Sequence, residues 1–501
     1  MRRKIRALAS YTYDKIGTTK FFVVTLVAFL INAIWLSFTA IYPLPFDEFA
    51  HVGAIQLYAK QWSWMVNYQP IDTGIIGDLT REPSFLYRWL MSFPYRVLDV
   101  FLSTNQTIIA MRLMNVVMVA VGIYLFWKLL SGWGVSLRLS NIIILAFVMT
   151  PMVPFLAAHV NYDNLMFMLT PIVLGYATKL IKDNHNLVRN IALSVLWGGV
   201  TVLAKQTFLP IMAIVLMYVT TVVVRRNRGN NLQVIRDDWR VVPKNRYFWL
   251  VAVGLLIITA MSIERYGVNI VKFGTQSPPC EQVQPVELCR QFGPWYRNNV
   301  INVENRPITP PYGNAFSFSQ YWTTRMMRGY FAIFQHTPTR VVHEREPFGP
   351  IVVRPLLPLP VSFAWIVAIA GLVAVIWQRR KIGSDANLRF ALVVVVGFVL
   401  VQWLYNYSGY LTMWKAEAVQ ARYTYPIMIL LFTLIAAAVN QMIANKRVKV
   451  WLVVSMFVCY VWGGGIAGWL IRADDTWRWQ DPVVQQVNRS VQIVLRRTVF
   501  N

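Results

Sequence analysis

Residues 21–41 read FFVVTLVAFLINAIWLSFTAI, and residues 43–51, just beyond, read PLPFDEFAH. The first run is long enough to span a bilayer, which takes about 20 apolar residues. The second places two carboxylates and a histidine where the chain leaves the membrane. Pro43 and Pro45 end the span and can open a new helix, because proline in a first turn forfeits no helical hydrogen bond. In such a helix Asp47 and His51 share a face one turn apart, with Glu48 about a quarter-turn away. Acids at a membrane boundary suit proton abstraction, metal binding or the holding of a cationic partner. Asp47 equally suits a plain cap or charge at a helix start.

Composition sets the class. Of 501 residues, 56% are hydrophobic and 14% charged, with a mean hydropathy of +0.45. A soluble protein carries about a quarter charged residues, so the chain reads as an all-α polytopic membrane protein. Apolar runs centre on residues 21–41, 107–130, 140–157, 164–181, 189–204, 207–224, 247–263, 357–377, 389–405, 423–444 and 448–471, which predicts eleven spans. The first is too long for a cleaved leader and lacks a small-x-small site, so it reads as a retained signal anchor.

The net charge of +26 divides by loop. With the N-terminus inside, the cytoplasmic segments hold 25 of the 48 basic residues and 5 of the 22 acids, a net of +20; the other side nets +6. The excess is therefore a positive-inside signal and an attraction to anionic lipid heads, and nucleic-acid binding is unsupported. This orientation predicts a plasma (inner) membrane protein with its C-terminus outside. The divisions are a cytoplasmic N-terminus (1–20), a first transmembrane module (21–263) with an extracytoplasmic loop (42–106), an extracytoplasmic subdomain (264–356), C-terminal transmembrane helices (357–471) and an extracytoplasmic tail (472–501).

Several polar groups fall at the same predicted face as Asp47. Asp163, in His159-Val160-Asn161-Tyr162-Asp163-Asn164, is either a helix cap or a second functional acid. Lys205 interrupts an apolar hairpin, either snorkelling to water or meeting a phosphate. Arg422, in Gln420-Ala421-Arg422-Tyr423-Thr424-Tyr425-Pro426, stands at the mouth of a span, where arginine is costly unless it finds an anion. The aromatic stretches 85–93 and 316–334 read as interfacial helices. Cys280 and Cys289 fall in the external segment, nine residues apart, which allows a disulfide. The sequence contains no CxxC or HxxxH spacing, no phosphate-binding glycine loop and no dinucleotide fingerprint, so no nucleotide cofactor is expected.

These motifs resemble the GT-C class of integral-membrane glycosyltransferases. The resemblance is to a bacterial domain-of-unknown-function family related to the protein mannosyltransferases and aminoarabinose transferases. It rests on Pro45-Phe46-Asp47-Glu48-Phe49-Ala50-His51, Asn161-Tyr162-Asp163, Lys205-Gln206-Thr207-Phe208-Leu209-Pro210 and Gln420 to Pro426, and it covers about residues 20–215 and 385–440. Arg81-Glu82-Pro83-Ser84 stands where the family has a Pro-Pro-rich element. The resemblance implies transfer of a sugar from a polyprenyl-phosphate donor to an extracytoplasmic glycan, lipid or protein acceptor, with inversion.

In that scheme Asp47 is the general base, with Glu48 and Asp163 as further catalytic acids or as ligands of a divalent metal (Mg or Mn). Lys205 and Arg422 bind the phosphate, whose growing charge must be met as the bond breaks. His51, Tyr423 and Arg81 are candidate supporting residues. The competing readings are a polyprenyl-linked glycan or lipid transporter or flippase, and a glycan ligase or polymerase. A transporter favours internal repeats and mid-membrane polar groups, and neither is evident in the sequence.

Overall fold

The computed structural model describes residues 11–44, 47–66, 68–227, 230–239, 246–331, 333, 336–338, 351–353, 358–416, 418–463, 465–472, 477–479 and 481–499. Pro45 and Phe46 of the first-loop motif, and most of residues 332–357 of the expected external subdomain, lie outside the described residues.

The described chain is helical apart from one short antiparallel pair, His336–Pro338 with Ile351–Val353, and an isolated bridge between Ala40 and Arg478. In chain order the principal helices are α1 (Thr19–Thr39), α2 (Glu48–Gln61), α3 (Leu86–Phe101), α4 (Thr104–Gly132), α5 (Leu137–Met149), α6 (Tyr162–Lys182), α7 (Leu187–Ala204), α8 (Leu209–Asn227), α9 (Arg246–Ser262), α10 (Ala315–Phe331), α11 (Pro358–Trp377), α12 (Ala386–Met413), α13 (Met428–Met442) and α14 (Lys446–Gly463). Eight segments are long and apolar enough to cross a membrane: α1, α4, α6, α7, Gln206–Asn227, Tyr247–Phe273, α12 and Ala421–Met442. This fits a multi-pass membrane protein. Leu250, Leu256 and Val271 of the Tyr247–Phe273 segment are open to the surroundings, an exposure that suits lipid better than water.

The eight differ from the expected eleven because three apolar runs are broken or short. The run 140–157 stops at Thr150, ahead of Pro151, then resumes as Met152–Ala157; a residue before proline is disfavoured in helical geometry, and proline itself donates no backbone bond. The run 448–471 divides between Gly463 and Gly465, the latter at φ +63°, a conformation that glycine adopts without strain. The apolar stretch of α11 reaches only from Ser362 to Trp377.

The core is a continuous apolar cluster running through α1, α4, α5, α6, α8, α12 and α13. At its centre Phe167 of α6 stacks on Phe147 of α5 at 5.0 Å and on Tyr425 at 4.6 Å. These helices are apolar all round because neighbours or lipid cover every face.

Polar contacts gather at the two ends of this bundle. At one end Arg138 reaches Asp14, Asn141 bonds Ile16 and Thr18, Lys182 bonds the Gly132 carbonyl, and Asn387 bonds the Trp133 carbonyl. Arg226 joins the carbonyls of Leu180, Ile181 and Asp183, and Asp238 accepts from Val188 N–H. These are the segments that charge counting assigned to one side. At the other end α1 terminates, α2 and α3 pack together, and residues 477–479 bond to Thr39 and Ile41. Cys280 and Cys289 are joined there, Cα–Cα 5.8 Å, and Phe292 lies over Gly77, where an added Cβ would sit 3.1 Å from the ring.

Candidate functional site

Asp47 lies at the start of α2, in the left-handed region at φ 72°, and its side chain makes no capping bond. That conformation is uncommon for a residue with a Cβ, though Asp tolerates it better than most. The carboxylate turns instead to Arg422, whose Nη2 donates to Oδ2 at 2.6 Å. Arg422 comes from the tight turn Ala421–Ile427, and its Nε donates to Gln420 Oε1 at 2.6 Å. Arg422 is buried, while 44% of the Asp47 side chain is open to a cavity. Desolvation opposes ionisation of Asp47, but the charge and hydrogen bond of Arg422, with Lys205 and Arg88 beyond, outweigh it and hold the carboxyl below its usual range.

Glu48 follows directly and has different work. It is fully buried and takes Arg112 Nε at 2.8 Å and Nη2 at 2.7 Å, with the backbone N–H groups of Leu44 and Val160 at 2.8 and 3.1 Å. Arg112 also donates to the carbonyls of Ala40 and Ile41, which α1 leaves without helical partners. This pair ties α1, α2, α4 and the 159–161 turn together, and Glu48 does not reach the cavity.

Asp163 is also buried, and Lys205 donates to its Oδ1, while Oδ2 has no hydrogen-bond partner among the described residues. The helix is capped by Asn161, whose side chain accepts from Asp163 N–H. Lys205 Nζ stands 4.4 Å from the Tyr162 ring centroid and 5.0 Å from that of Tyr423. Desolvation pushes its ammonium down to about 8, partly offset by Asp163. Asp163 and Lys205 form the layer beneath the cavity, and Tyr162, Gln206 and Tyr423 face into it.

His51 lines the cavity edge-on to Tyr162, ring centroids 4.3 Å apart. Its Nδ1 accepts from Arg88 Nε at 3.3 Å. Arginine only donates, so the imidazole carries its proton on Nε2. Desolvation, then the charges of Arg88, Arg422 and Lys205, lower its pKa well below the ordinary value. Arg88 also holds Glu82. Arg81 does not reach the cavity: it bonds Glu264 and Asn269, at 2.7 Å each, and fastens the first loop to the turn after α9.

The cavity measures about 1040 Å³. Of the three carboxylates predicted to act, only Asp47 opens into it. The expected metal set does not fit this geometry. Each of the three acids faces its own cation (Arg422, Arg112 and Lys205), and no group of three or more His, Cys, Asp or Glu able to hold an ion occurs among the described residues.

Sequence reading passed over several site residues. Arg112 carried a signal, since an arginine inside an apolar run is expensive without a partner. Arg88 and Glu82 were read only as parts of an interfacial helix and a departing motif. Arg325, which also lines the cavity, was read only as part of the 316–334 interfacial helix, and Lys415, another lining residue, carried no local signal. No protein-family model matches this chain, and no curated protein matches it.

Proposed function

We propose that this chain is a GT-C-type membrane glycosyltransferase. It moves a sugar from a polyprenyl-phosphate-linked donor to an extracytoplasmic glycan, lipid or protein acceptor, with inversion. One observation carries the reading. Asp47, held ionised by Arg422, opens into a polar cavity that shares a helix with an apolar one.

The second cavity, about 390 Å³, is lined by α5, α10, α11, α13 and α14 and is almost wholly apolar. Tyr321 and Arg325 of α10 face the polar cavity, while Met327, Tyr330 and Phe331 of the same helix face the apolar one. A substrate with an anionic head and a long apolar tail matches that division.

Asp47 is the acceptor of the hydroxyl proton as that oxygen attacks the anomeric carbon. A carboxylate held below its usual pKa is a weak base, so Arg422 must loosen. A phosphate arriving beside Asp47 competes for the guanidinium, and the carboxylate gains basicity as Arg422 turns toward the leaving group. The growing charge on that phosphate meets preorganised cations. Lys205 with Asp163 supports Tyr162 and Tyr423 from below. Glu48, sealed against Arg112, holds the first loop in register and takes no part in proton transfer.

The site is extracytoplasmic in this reading, and the chain crosses eleven times. An even count of eight returns the chain to its starting end, whereas residues 477–479 bond to the far end of α1. That bond favours an odd count, and in this reading α5, α11 and α14 are the three further crossings.

The test is sugar transfer and donor binding by purified Asp47→Asn in nanodiscs. Asn keeps the size and loses the proton acceptor, so transfer should fall by about 10²–10⁴ with donor binding retained. Turnover near wild type would remove Asp47 from the mechanism. Donor binding without any transfer by the wild type would favour a transporter.

A further inference from the structure

The polar cavity has unequal walls. Asp47 and Arg422 stand together, and the first loop contributes Asp78 and Glu82. The lining also holds Arg297, Arg325 of α10 and Lys415 of the segment after α12. Arg422 and Arg88 each have a carboxylate. None of these three cations has one among the described residues. Lys415 Nζ donates to Asn302 Oδ1 at 3.0 Å and Arg297 Nε to Asn298 Oδ1 at 2.9 Å, both neutral. Glu417, the acid of the Lys415 segment, lies outside the described residues.

Arg297 is exposed, whereas Arg325 and Lys415 are part-buried and held by their surroundings. The core face of α10 carries Phe318, Trp322 and Met326, all buried, which turns Tyr321 and Arg325 to the cavity. Gly329 brings the helix against the Arg422 turn, where an added Cβ would lie 2.7 Å from Ala421 Cβ. Lys415 is flanked by Trp414 and Ala418, both left-handed at φ 57° and 53°. Such conformations are strained for residues with a Cβ and persist only where surrounding structure imposes them.

We infer that Arg297, Arg325 and Lys415 form the anion site that receives the phosphoryl group of the lipid-linked donor, which Arg422 completes as it loosens from Asp47. This rests on the donor reading above. The lipid phosphate is preferred over a free anion because Arg325 stands on the helix whose other face lines the apolar cavity. The assignment displaces Lys205, which is committed to buried Asp163.

The experiment measures binding of farnesyl phosphate, farnesol and inorganic phosphate to the full chain in nanodiscs. Arg325→Gln and Lys415→Gln should each weaken farnesyl phosphate about tenfold to a hundredfold, the loss expected for a hydrogen bond to a charged group. Farnesol binding and the thermal midpoint should not change, and Arg325→Lys should recover part of the loss. Arg138→Gln, at the other end of the bundle, should bind as wild type does. Unchanged farnesyl phosphate binding in both glutamine variants overturns the inference and leaves the donor reading intact. An equal loss of farnesol binding overturns it as well, since packing rather than charge was removed. Inorganic phosphate binding as tightly as farnesyl phosphate overturns the lipid source. A wild-type protein that binds no farnesyl phosphate overturns the donor reading itself.

Discussion

The two ends of the helical bundle treat charge in opposite ways. At the end holding Asp14, Arg138 and Arg226, cations meet carbonyls, side-chain oxygens and solvent, and the ion pair Arg138–Asp14 is 33% and 64% exposed. At the end holding Asp47, the pairs Arg112–Glu48 and Lys205–Asp163 are buried on both sides, and Arg422–Asp47 opens only on its carboxylate side. Exposed pairs contribute about 0–1 kcal/mol, so the first end owes little of its stability to them. Buried pairs cost desolvation that only close geometry and further hydrogen bonds offset. Three such pairs, each joining distant parts of the chain, gather at this end, two of them sealed and the third open at Asp47.

The widest contrast between the ends is which side of the membrane each occupies. Single cysteines at Asp72 and Ser408 should react with an impermeant thiol reagent in intact cells, and one at Leu232, at the opposite end and well exposed, should not. Labelling at Leu232 with protection at Asp72 reverses the topology. Within the site end, Arg112→Met should destabilise the protein by about 3–5 kcal/mol, because it strands a buried carboxylate. The double variant with Glu48→Gln should recover much of that loss in a thermal-shift assay. No recovery would show that Arg112 acts chiefly through the Ala40 and Ile41 carbonyls.

A smaller effect follows pH. His51 has its pKa lowered well below the ordinary value, so below about 6.5 the unfolded chain binds a proton that the folded chain does not. Stability should therefore fall as pH drops from about 6.5 toward the folded pKa. His51→Gln should flatten that part of the curve; an unaltered curve would move the dependence to another group. The smallest effect is expected for Arg138→Ala, within about 1 kcal/mol of wild type. A larger loss would erase the contrast between the ends.

Much of the site end was legible in the sequence, though partners and roles were not. Asp47, His51, Asp163, Lys205, Arg422 and Tyr423 were singled out and do converge. Glu48 and Arg81 belonged to the same pattern, yet they fasten loops. Adjacent carboxylates look alike in a sequence; here one is swung to the cavity by a left-handed Asp47 and the next is turned inward to Arg112. Asp163 was weighed as a cap, but Asn161 takes that role, since its side chain reaches the Asp163 N–H.

The sequence by itself determined the class, the two-ended distribution of charge and the candidate acids, because hydropathy and charge are summed locally along the chain. The Cys280–Cys289 bridge was allowed by its nine-residue spacing, and the structure forms it. Tertiary structure alone decided which carboxylate stays open. The partners of Asp47, Glu48 and Asp163 lie 375, 64 and 42 residues away. The energy of a buried charge depends on what packs around it rather than on its neighbours in the chain.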